Sequence, residues 1–379
     1  MQYRDLGRTG VRLSALGMGC MRLPVIDNDP ERIDEKAAIG LIRRAVDRGV
    51  NYVDTAWGYH GGNSEALVAK ALKDGYREKV FLATKLPCYL VEKRADMDHY
   101  LDEQLKRLET DHIDFYLLHS LNAKTWRTNR ENGIFEFIED ARKAGKIRYI
   151  GFSFHDEYPV FEEILNAFDW DFCQIQFNIL DEEYQAGRKG LRLAASRGTG
   201  VVIMEPLRGG GLTNNIPENI RRAWEVLKPE RSPADWCLSW LWDQPEVGIV
   251  LSGMTKREHV DENCAIADRS GVHTLKKFQK DHIKRIRDMY HSRIIVNCTG
   301  CGYCMPCPQG VDIPGCFQYL NLAAMINNWK EGKRLYDLLV VKKGKAASQC
   351  IACGECLEKC PQHLPIPETM ETVVEKFGK

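Results

Sequence analysis

The sequence predicts an α/β protein whose main part is a (β/α)8 TIM barrel, followed by a smaller, mostly α-helical domain rich in cysteine. Three observations lead to this prediction. Short apolar runs alternate with amphipathic segments through the first two thirds of the chain. No G-x-G-x-x-G turn, the nucleotide-binding signature of open α/β sheets, follows the first run. Eight of the 14 cysteines fall in two short runs near the end.

The apolar runs have the length and composition of buried strands. They cover residues 14–19, 51–55, 79–85, 113–119, 147–153, 172–178, 200–207 and 247–253. Helix-like segments separate them, for example residues 34–48 and 96–110. Strict alternation of strands and helices implies a parallel sheet, and eight units favour a closed barrel over the alternative, a doubly wound open sheet. We expect residues 1–272 to form the barrel, 273–293 a linking helix and 294–379 the cysteine-rich domain.

Composition and charge exclude several classes of protein. Lys+Arg and Asp+Glu both total 53, so the formal net charge is zero, which argues against a nucleic-acid-binding protein. No apolar run approaches the roughly 20 residues that span a bilayer, and the polar N-terminus is unlike a signal peptide. We therefore expect a cytoplasmic protein with no nucleic-acid or membrane partner. Disulfides are rare in that compartment, so 14 cysteines indicate metal or redox chemistry.

Four polar residues lie where a barrel carries its chemistry, at the carboxyl ends of successive strands. Asp54 ends the second predicted strand and Tyr59 follows in its loop, while Lys85 ends the third strand and His119 the fourth. Each has a plain structural explanation when taken singly: a helix cap, a surface aromatic residue, a loop lysine or a core histidine. Together on three successive strand ends, they predict an active site.

These residue types can deliver a proton to a carbonyl oxygen. A phenol has a pKa near 10, and a neighbouring ammonium lowers it. A carboxylate paired with the lysine holds that ammonium in place. A histidine can donate a hydrogen bond to the substrate carbonyl. Hydride must come from a cofactor, because no side chain supplies it.

Several segments resemble the aldo/keto reductase family, in the family's order and over roughly residues 1–270. They are "MQYRDLGRTGVRLSALGMGCMRL", "VNYVDTAWGYHGGNSE", "VFLATKLP", "HIDFYLLH", "KIRYIGFS", "CQIQFN" and "LSGMTKREHVDEN". The resemblance implies a barrel that binds NADP(H) or NAD(H) without a Rossmann domain and acts on a small-molecule carbonyl substrate. It implies Tyr59 as general acid/base, Lys85 and Asp54 as its tuning pair, and His119 as the group that orients the carbonyl.

The resemblance also assigns residues to the nicotinamide cofactor. They are Ser153, Gln176, Met204, Leu207, Gly209, Gly210, Ser252, Gly253, Lys256, Arg257, His259 and Asn263. In the family, the first two positions hold the carboxamide, the loop 206–212 covers the pyrophosphate, and residues 252–259 with Asn263 contact the adenosine end.

Three departures from the family pattern concern the cofactor. Phe154 stands where many members have asparagine, and Met204 stands where many have an aromatic residue stacked on the nicotinamide. Gly253 and His259 align with the lysine and arginine that many members place around a 2′-phosphate. Lys256 and Arg257 are near enough to substitute, so the choice between NADPH and NADH stays open.

The two cysteine runs predict iron–sulfur clusters. The second run, which ends in a proline, matches the bacterial ferredoxin pattern C-x2-C-x2-C-x3-C-P, and the first is one residue shorter before its last cysteine. In two-cluster proteins of this type the fourth cysteine of each run ligates the other cluster. We therefore expect one [4Fe–4S] cluster on Cys298, Cys301, Cys304 and Cys360, and a second on Cys350, Cys353, Cys356 and Cys307. Two zinc sites of four thiolates each are the alternative.

The residues between the runs, 314–345, are predicted to be helical, which resembles the α-helical ferredoxin type of electron-transfer subunits. Three functions remain open. The chain is an NAD(P)H-dependent carbonyl reductase with bracing or sensing clusters, or an enzyme that passes electrons between the barrel and a ferredoxin-like carrier, or a nicotinamide-binding redox sensor. The intact set of four polar residues disfavours the sensor.

Overall fold

The computed structural model describes residues 1–27, 29–214, 216–228, 230–298, 300, 302, 304–360 and 363–378. They divide into two compact units. The first comprises Met1–Gly209 with Ala234–Lys280, and the second comprises Gly210–Pro233 with Asp281–Lys379. Each unit has a hydrophobic core of its own.

The first unit is built on the predicted barrel, which is confirmed. Two short strands, β1 (Tyr3–Asp5) and β2 (Arg12–Ser14), form an antiparallel hairpin. The barrel strands are β3 (Leu16–Gly19), β4 (Tyr52–Asp54), β5 (Phe81–Leu86), β6 (Ile113–Leu121), β7 (Ile147–Phe154), β8 (Phe172–Gln176), β9 (Gly200–Met204) and β10 (Ile249–Ser252). Every neighbouring pair is parallel, and β10 pairs with β3 to close the barrel.

Both units contain helices. They are α1 (Glu35–Asp47), α2 (Ser64–Ala71), α3 (Arg94–Arg107), α4 (Ala123–Glu131), α5 (Ile134–Lys143), α6 (Tyr158–Ala167), α7 (Gly187–Ser196), α8 (Glu218–Leu227), α9 (Pro233–Trp242), α10 (Arg257–Arg269), α11 (Lys277–His291), α12 (Ile313–Met325), α13 (Trp329–Leu339), α14 (Glu355–Lys359) and α15 (Ile366–Phe377). Among the described residues, no helix is both long and apolar enough to cross a membrane.

The hairpin β1–β2 packs into one end of the barrel, a feature that the sequence analysis did not predict. Leu6 and Leu13 are fully buried and share a core cluster with barrel residues such as Phe115 and Phe172. Gly7 makes this approach possible, because a Cβ there would lie 2.3 Å from the carbonyl oxygen of Gly198. Apolar side chains therefore fill this end of the barrel.

The second unit is helical between the cysteine runs, as expected. α12 packs against α13 and α15 around a buried core that includes Phe317, Tyr336 and Phe377. The described cysteines of the two runs lie mainly in the loops before α12 and α14. Asn321 anchors the start of the first run: its side chain accepts from the backbone N–H groups of residues 295 and 296 and donates to the Val296 carbonyl at 2.7 Å.

Candidate functional site

The four predicted catalytic residues lie at one end of the barrel. Asp54 is the last residue of β4, and Tyr59 begins a short turn, Tyr59–Gly62, in the loop that follows. Lys85 lies one residue before the end of β5, and His119 two residues before the end of β6. Since β4, β5 and β6 are adjacent parallel strands, their carboxyl ends bring these side chains together.

Lys85 is the centre of this arrangement. Its Nζ donates to Asp54 Oδ1 at 2.7 Å, to the Thr55 carbonyl at 2.7 Å and to the Tyr59 hydroxyl at 3.3 Å. Lys85 is fully buried and Asp54 is 2% exposed. Burying an ammonium is costly unless it is paired, so Asp54 is what allows a charged lysine beside the phenol.

The pKa of Lys85 shows the same balance. Burial opposes the charge, but the carboxylate of Asp54 and the Tyr59 hydroxyl outweigh it and raise the pKa of Lys85 above its usual value. The lysine is therefore protonated at neutral pH.

Two influences compete on the pKa of Tyr59. Burial is the larger and raises it, while the ammonium of Lys85 lowers it by less, so the pKa of Tyr59 lies above that of a free tyrosine. Lys85 acts in the predicted direction, but burial outweighs it. The phenol consequently keeps its proton at neutral pH, which suits a proton donor.

His119 stands beside the phenol. The centroids of the His119 and Tyr59 rings are 5.9 Å apart, and the rings meet edge to face. Burial, reinforced by the charge of Lys85, holds the pKa of His119 well below its usual value. The imidazole is therefore neutral, with one N–H to donate. Its Nδ1 is buried and has no hydrogen-bond partner among the described residues.

Three residues assigned to the nicotinamide lie on the next strands. Ser153 is buried near the end of β7, and its Oγ accepts the Ser120 N–H at 2.8 Å. Gln176 ends β8 and donates from Nε2 to Asp181 at 2.8 Å. Met204 ends β9. The barrel thus brings these three together at adjacent strand ends.

The loop after β9 follows an unusual backbone path. Glu205, Arg208, Gly209 and Gly210 all have left-handed φ angles, of 54°, 51°, 61° and 89°. Leu207 is partly buried and packs against the barrel core. Left-handed residues bring successive N–H groups to one side, an arrangement that binds anions such as phosphate.

Arg208, Arg22 and Asp181 are site residues that the sequence analysis missed. Arg208 donates from Nε to Asp181 at 3.0 Å, and its Nη1 is buried without a hydrogen-bond partner among the described residues. Arg22 donates from Nη2 to Glu205 at 2.8 Å. An unpaired buried guanidinium N–H is suited to an anionic ligand, so the residues present fit a nicotinamide dinucleotide. The only sequence signal for Arg208 was its place before three glycines.

The residues assigned to the adenosine end surround the start of α10. Asn263 donates from Nδ2 to the Oγ of Ser252 at 3.0 Å, and both are buried. Gly253, in the loop between β10 and α10, is exposed. His259 is within 3.4 Å of the Thr255 hydroxyl.

Lys256 and Arg257 remain available to a ligand. Lys256 precedes the first residue of α10 and is exposed. The Arg257 side chain is 69% exposed, and its Nε lies 3.9 Å from Asp261. Two exposed cations next to a helix N-terminus fit a phosphate group.

Seven of the eight predicted cluster ligands are described, and Cys301 lies outside the described residues. The described cysteines form no disulfide with one another. Burial and then the neighbouring thiols Cys350, Cys353 and Cys307 raise the pKa of Cys356. Cys307, Cys350, Cys353 and Cys356 are the four cysteines that the sequence analysis assigns to one cluster.

This set of four cysteines lines a pocket enclosing about 430 Å³, part of it open to solvent. Cys304 also lines it, whereas Cys298 and Cys360 are not among its lining residues. Among the described residues, no group of three or more cysteine, histidine or carboxylate side chains could hold a single metal ion.

Comparison with known proteins identifies both regions of the chain. Residues 15–288 match the model of the aldo/keto reductase family, and residues 297–364 match that of the 4Fe-4S dicluster domain. The uncharacterized oxidoreductase YqkF of Bacillus subtilis is 28% identical over 71% of this chain and 92% of its own length. The NADH-specific methylglyoxal reductase of Escherichia coli is 28% identical over 70% of this chain and 93% of its own length.

A solved structure agrees with these matches. The holo form of aldo-keto reductase AKR11C1 from Bacillus halodurans superimposes with a TM-score of 0.64, at 27% identity, over 76% of this chain and 96% of that protein. The likeness extends over most of the relative's length but leaves about a quarter of this chain unmatched.

Proposed function

The chain belongs to the aldo/keto reductase family, and from this premise we propose that it reduces an aldehyde or ketone to an alcohol with NAD(P)H. The observation that carries the proposal is the Lys85 ammonium, which touches both Asp54 and the Tyr59 hydroxyl in a buried site.

Each of the four residues has its own role in this reaction. Tyr59 donates the proton that the carbonyl oxygen requires, and its raised pKa keeps that proton available. Lys85 stabilises the phenolate that remains, and Asp54 keeps Lys85 charged. Neutral His119 donates a hydrogen bond to the carbonyl oxygen and orients it.

Nicotinamide, when bound, supplies hydride to the carbonyl carbon. We assign its carboxamide to Ser153 and Gln176 and its pyrophosphate to the left-handed loop that includes Gly209 and the unpaired Nη1 of Arg208. Met204 lies against the ring in place of an aromatic residue. Ser252 and Asn263 meet the adenosine end.

We assign two [4Fe–4S] clusters to the second unit with crossed ligation. The dicluster match and the grouping of Cys307 with Cys350, Cys353 and Cys356 support this assignment. Cys298, Cys301, Cys304 and Cys360 would hold the other cluster. Such clusters carry one electron at a time.

The test is carbonyl reduction by the purified protein and by Tyr59→Phe. Methylglyoxal is the first substrate to try and NADH the first cofactor, because the Escherichia coli relative is named for both. Loss of a positioned general acid costs about 10² to 10⁴ in rate. Tyr59→Phe should therefore lose at least a hundredfold in kcat while it still binds nicotinamide. Equal turnover by the variant would remove Tyr59 from its role.

A second function, transfer of electrons to a ferredoxin-like carrier, is favoured by the dicluster match and by Cys353, which is exposed at the pocket. The discriminating experiment adds NADH or NADPH to the protein without oxygen or substrate. Bleaching of the iron–sulfur absorbance would show that nicotinamide and clusters share electrons. Unchanged absorbance, with turnover only after a carbonyl is added, would show that the barrel works alone.

A further inference from the structure

The loop that carries Tyr59 is anchored on both sides of the tyrosine. Trp57 stands two residues before it and His60 directly after it, and neither belongs to the set of four catalytic groups. The two side chains point to different neighbours, and together they fix where the phenol lies.

His60 fastens the loop to residues 23–30. Its Nε2 accepts the Leu23 N–H at 3.1 Å, and its Nδ1 pairs with the Pro30 carbonyl at 2.7 Å. Only a neutral ring with its proton on Nδ1 satisfies both bonds. His60 is 9% exposed. Its φ of 54° is left-handed, and the two glycines after it also have positive φ angles. The imidazole therefore holds the chain in a conformation that a non-glycine residue rarely adopts.

Trp57 fastens the other side of the loop to α3. The guanidinium carbon of Arg107 lies 3.5 Å from the centre of the Trp57 ring, within the range of a strong cation–π contact. Tyr100, two turns earlier on the same face of α3, meets the same ring edge to face with centroids 4.9 Å apart.

A buried carboxylate connects this anchor to the catalytic lysine. Glu65 is fully buried in α2, and its Oε2 lies 3.4 Å from Arg107 Nη1. Its Oε1 accepts from Gln104 and from Thr84, both at 2.7 Å. The same Gln104 amide donates to the Lys85 carbonyl at 3.0 Å. One acidic side chain thus supports both the loop that bears Tyr59 and the strand that bears Lys85.

We propose that Trp57, through Arg107 and Glu65, and His60 are positioning residues that hold the Tyr59 hydroxyl within hydrogen-bond reach of Lys85 before substrate binds. The proposal rests on the role proposed above for Tyr59. The physical reason is that a proton donor displaced by about 1 Å can lose a hundredfold in rate, so a long loop needs fixed points near the reacting group.

The test compares Arg107→Ala, Trp57→Leu and His60→Asn with the parent protein. Asparagine tolerates the left-handed backbone but cannot span both partners of the imidazole. Each variant should lose about tenfold to a hundredfold in kcat. The dissociation constant of nicotinamide should stay within about twofold of the parent value. Trp57→Phe, which keeps an aromatic face for Arg107, should recover most of the rate.

The second measurement does not depend on turnover. Ring-labelled tyrosine NMR follows the titration of Tyr59, whose signal is identified by its loss in Tyr59→Phe. A phenol that moves relative to Lys85 also changes its burial, and both influences set its pKa, so the titration of Tyr59 should shift away from its parent position in the positioning variants.

Arg43→Ala is the matched control. Arg43 also covers an aromatic ring, with its guanidinium carbon 4.7 Å from the centre of Tyr76, and it also pairs with a carboxylate, Asp74. It lies outside the site, so its loss should lower the melting temperature without altering kcat or the Tyr59 titration.

If the Arg107, Trp57 and His60 variants lose only melting temperature, as Arg43→Ala does, the positioning role is overturned. If the parent protein reduces no carbonyl, the proposed function fails, and the NMR titration still decides whether these residues position the phenol.

Discussion

The barrel and the cysteine-rich unit assemble their chemical groups in opposite ways. In the barrel, Asp54, Lys85 and His119 lie on neighbouring strands, so the sheet places them and hydrogen bonds within the chain complete the site. In the second unit, Cys307, Cys350 and Cys353 lie on loops and line a pocket with no bond between them. The first site is fixed by the strands of a sheet, whereas the second is formed by loops. Four experiments test this difference between the two sites.

The largest effect should follow Lys85→Met. Asp54 would then be a buried carboxylate without its partner, and breaking such a pair typically costs about 3–5 kcal/mol. The phenol would also lose the charge that stabilises its anion, so kcat should fall by about 10² to 10⁴. Chemical denaturation and steady-state kinetics measure the two losses.

A double variant shows whether the unpaired carboxylate causes the loss of stability alone or also the loss of kcat. Asp54→Asn with Lys85→Met should recover part of the stability but none of the rate, because it removes the unpaired charge and not the defect at Tyr59. Recovery of rate would contradict the role of Lys85.

Cys353→Ser should distinguish the contribution of the second unit from that of the barrel. The variant should lose about half of the iron, that of one cluster of the two proposed, because thiolate ligands hold such clusters. If the barrel works alone, as proposed, carbonyl reduction should change less than about twofold, well below the general-acid effect. Iron analysis and kinetics on the same sample provide the comparison. Unchanged iron would remove Cys353 from the ligands.

The pH profile of carbonyl reduction reports the barrel site alone. The rate should fall as pH rises through the raised pKa of Tyr59, because the donor proton is then lost. It should fall at low pH only below the lowered pKa of His119, where the imidazole becomes charged. The plateau between the limbs should therefore be wider than free tyrosine and histidine would give. A fall near the pKa of free histidine, about 6.5, would show that His119 is not in its buried, neutral state.

The smallest effect should come from Lys256→Ala and Arg257→Ala. If these exposed cations bind a 2′-phosphate, each loss should weaken NADPH by about 1.5–3 kcal/mol at most, since a hydrogen bond to a charged group contributes that much. NADH, which lacks the phosphate, should be unaffected. Fluorescence titration with both cofactors distinguishes the cases, and equal weakening of both would show that the side chains contact a shared part of the cofactor.

The sequence predicted the barrel and the grouping of Asp54, Tyr59, Lys85 and His119 for a physical reason. The carboxyl ends of parallel strands meet at one rim, so a residue's position in a strand predicts its place in the site. No such rule applied to Glu65, because its burial by Gln104 and Arg107 depends on how α2 and α3 pack. The pKa of Tyr59 depended on burial, which the pattern of charges could not show.

The hairpin and the cysteines illustrate two further limits. β1 and β2 are only three residues each, too short for a periodic pattern to stand out, although Leu6 and Leu13 fill the barrel end. The spacing of the cysteines indicated clusters, and the structure groups one set of four but leaves Cys301 undescribed. Which thiols share each cluster stays a prediction.

The packed hairpin has a consequence for the order of events in a reaction cycle. Leu6 and Leu13 fill one end of the barrel with apolar side chains, whereas Tyr59 and Lys85 lie at the carboxyl ends of the strands. Under the proposed function, cofactor and carbonyl substrate would both approach from the side of the carboxyl ends. Of two ligands that share one approach, the deeper binds first and leaves last, and its release would then contribute to the rate of the cycle.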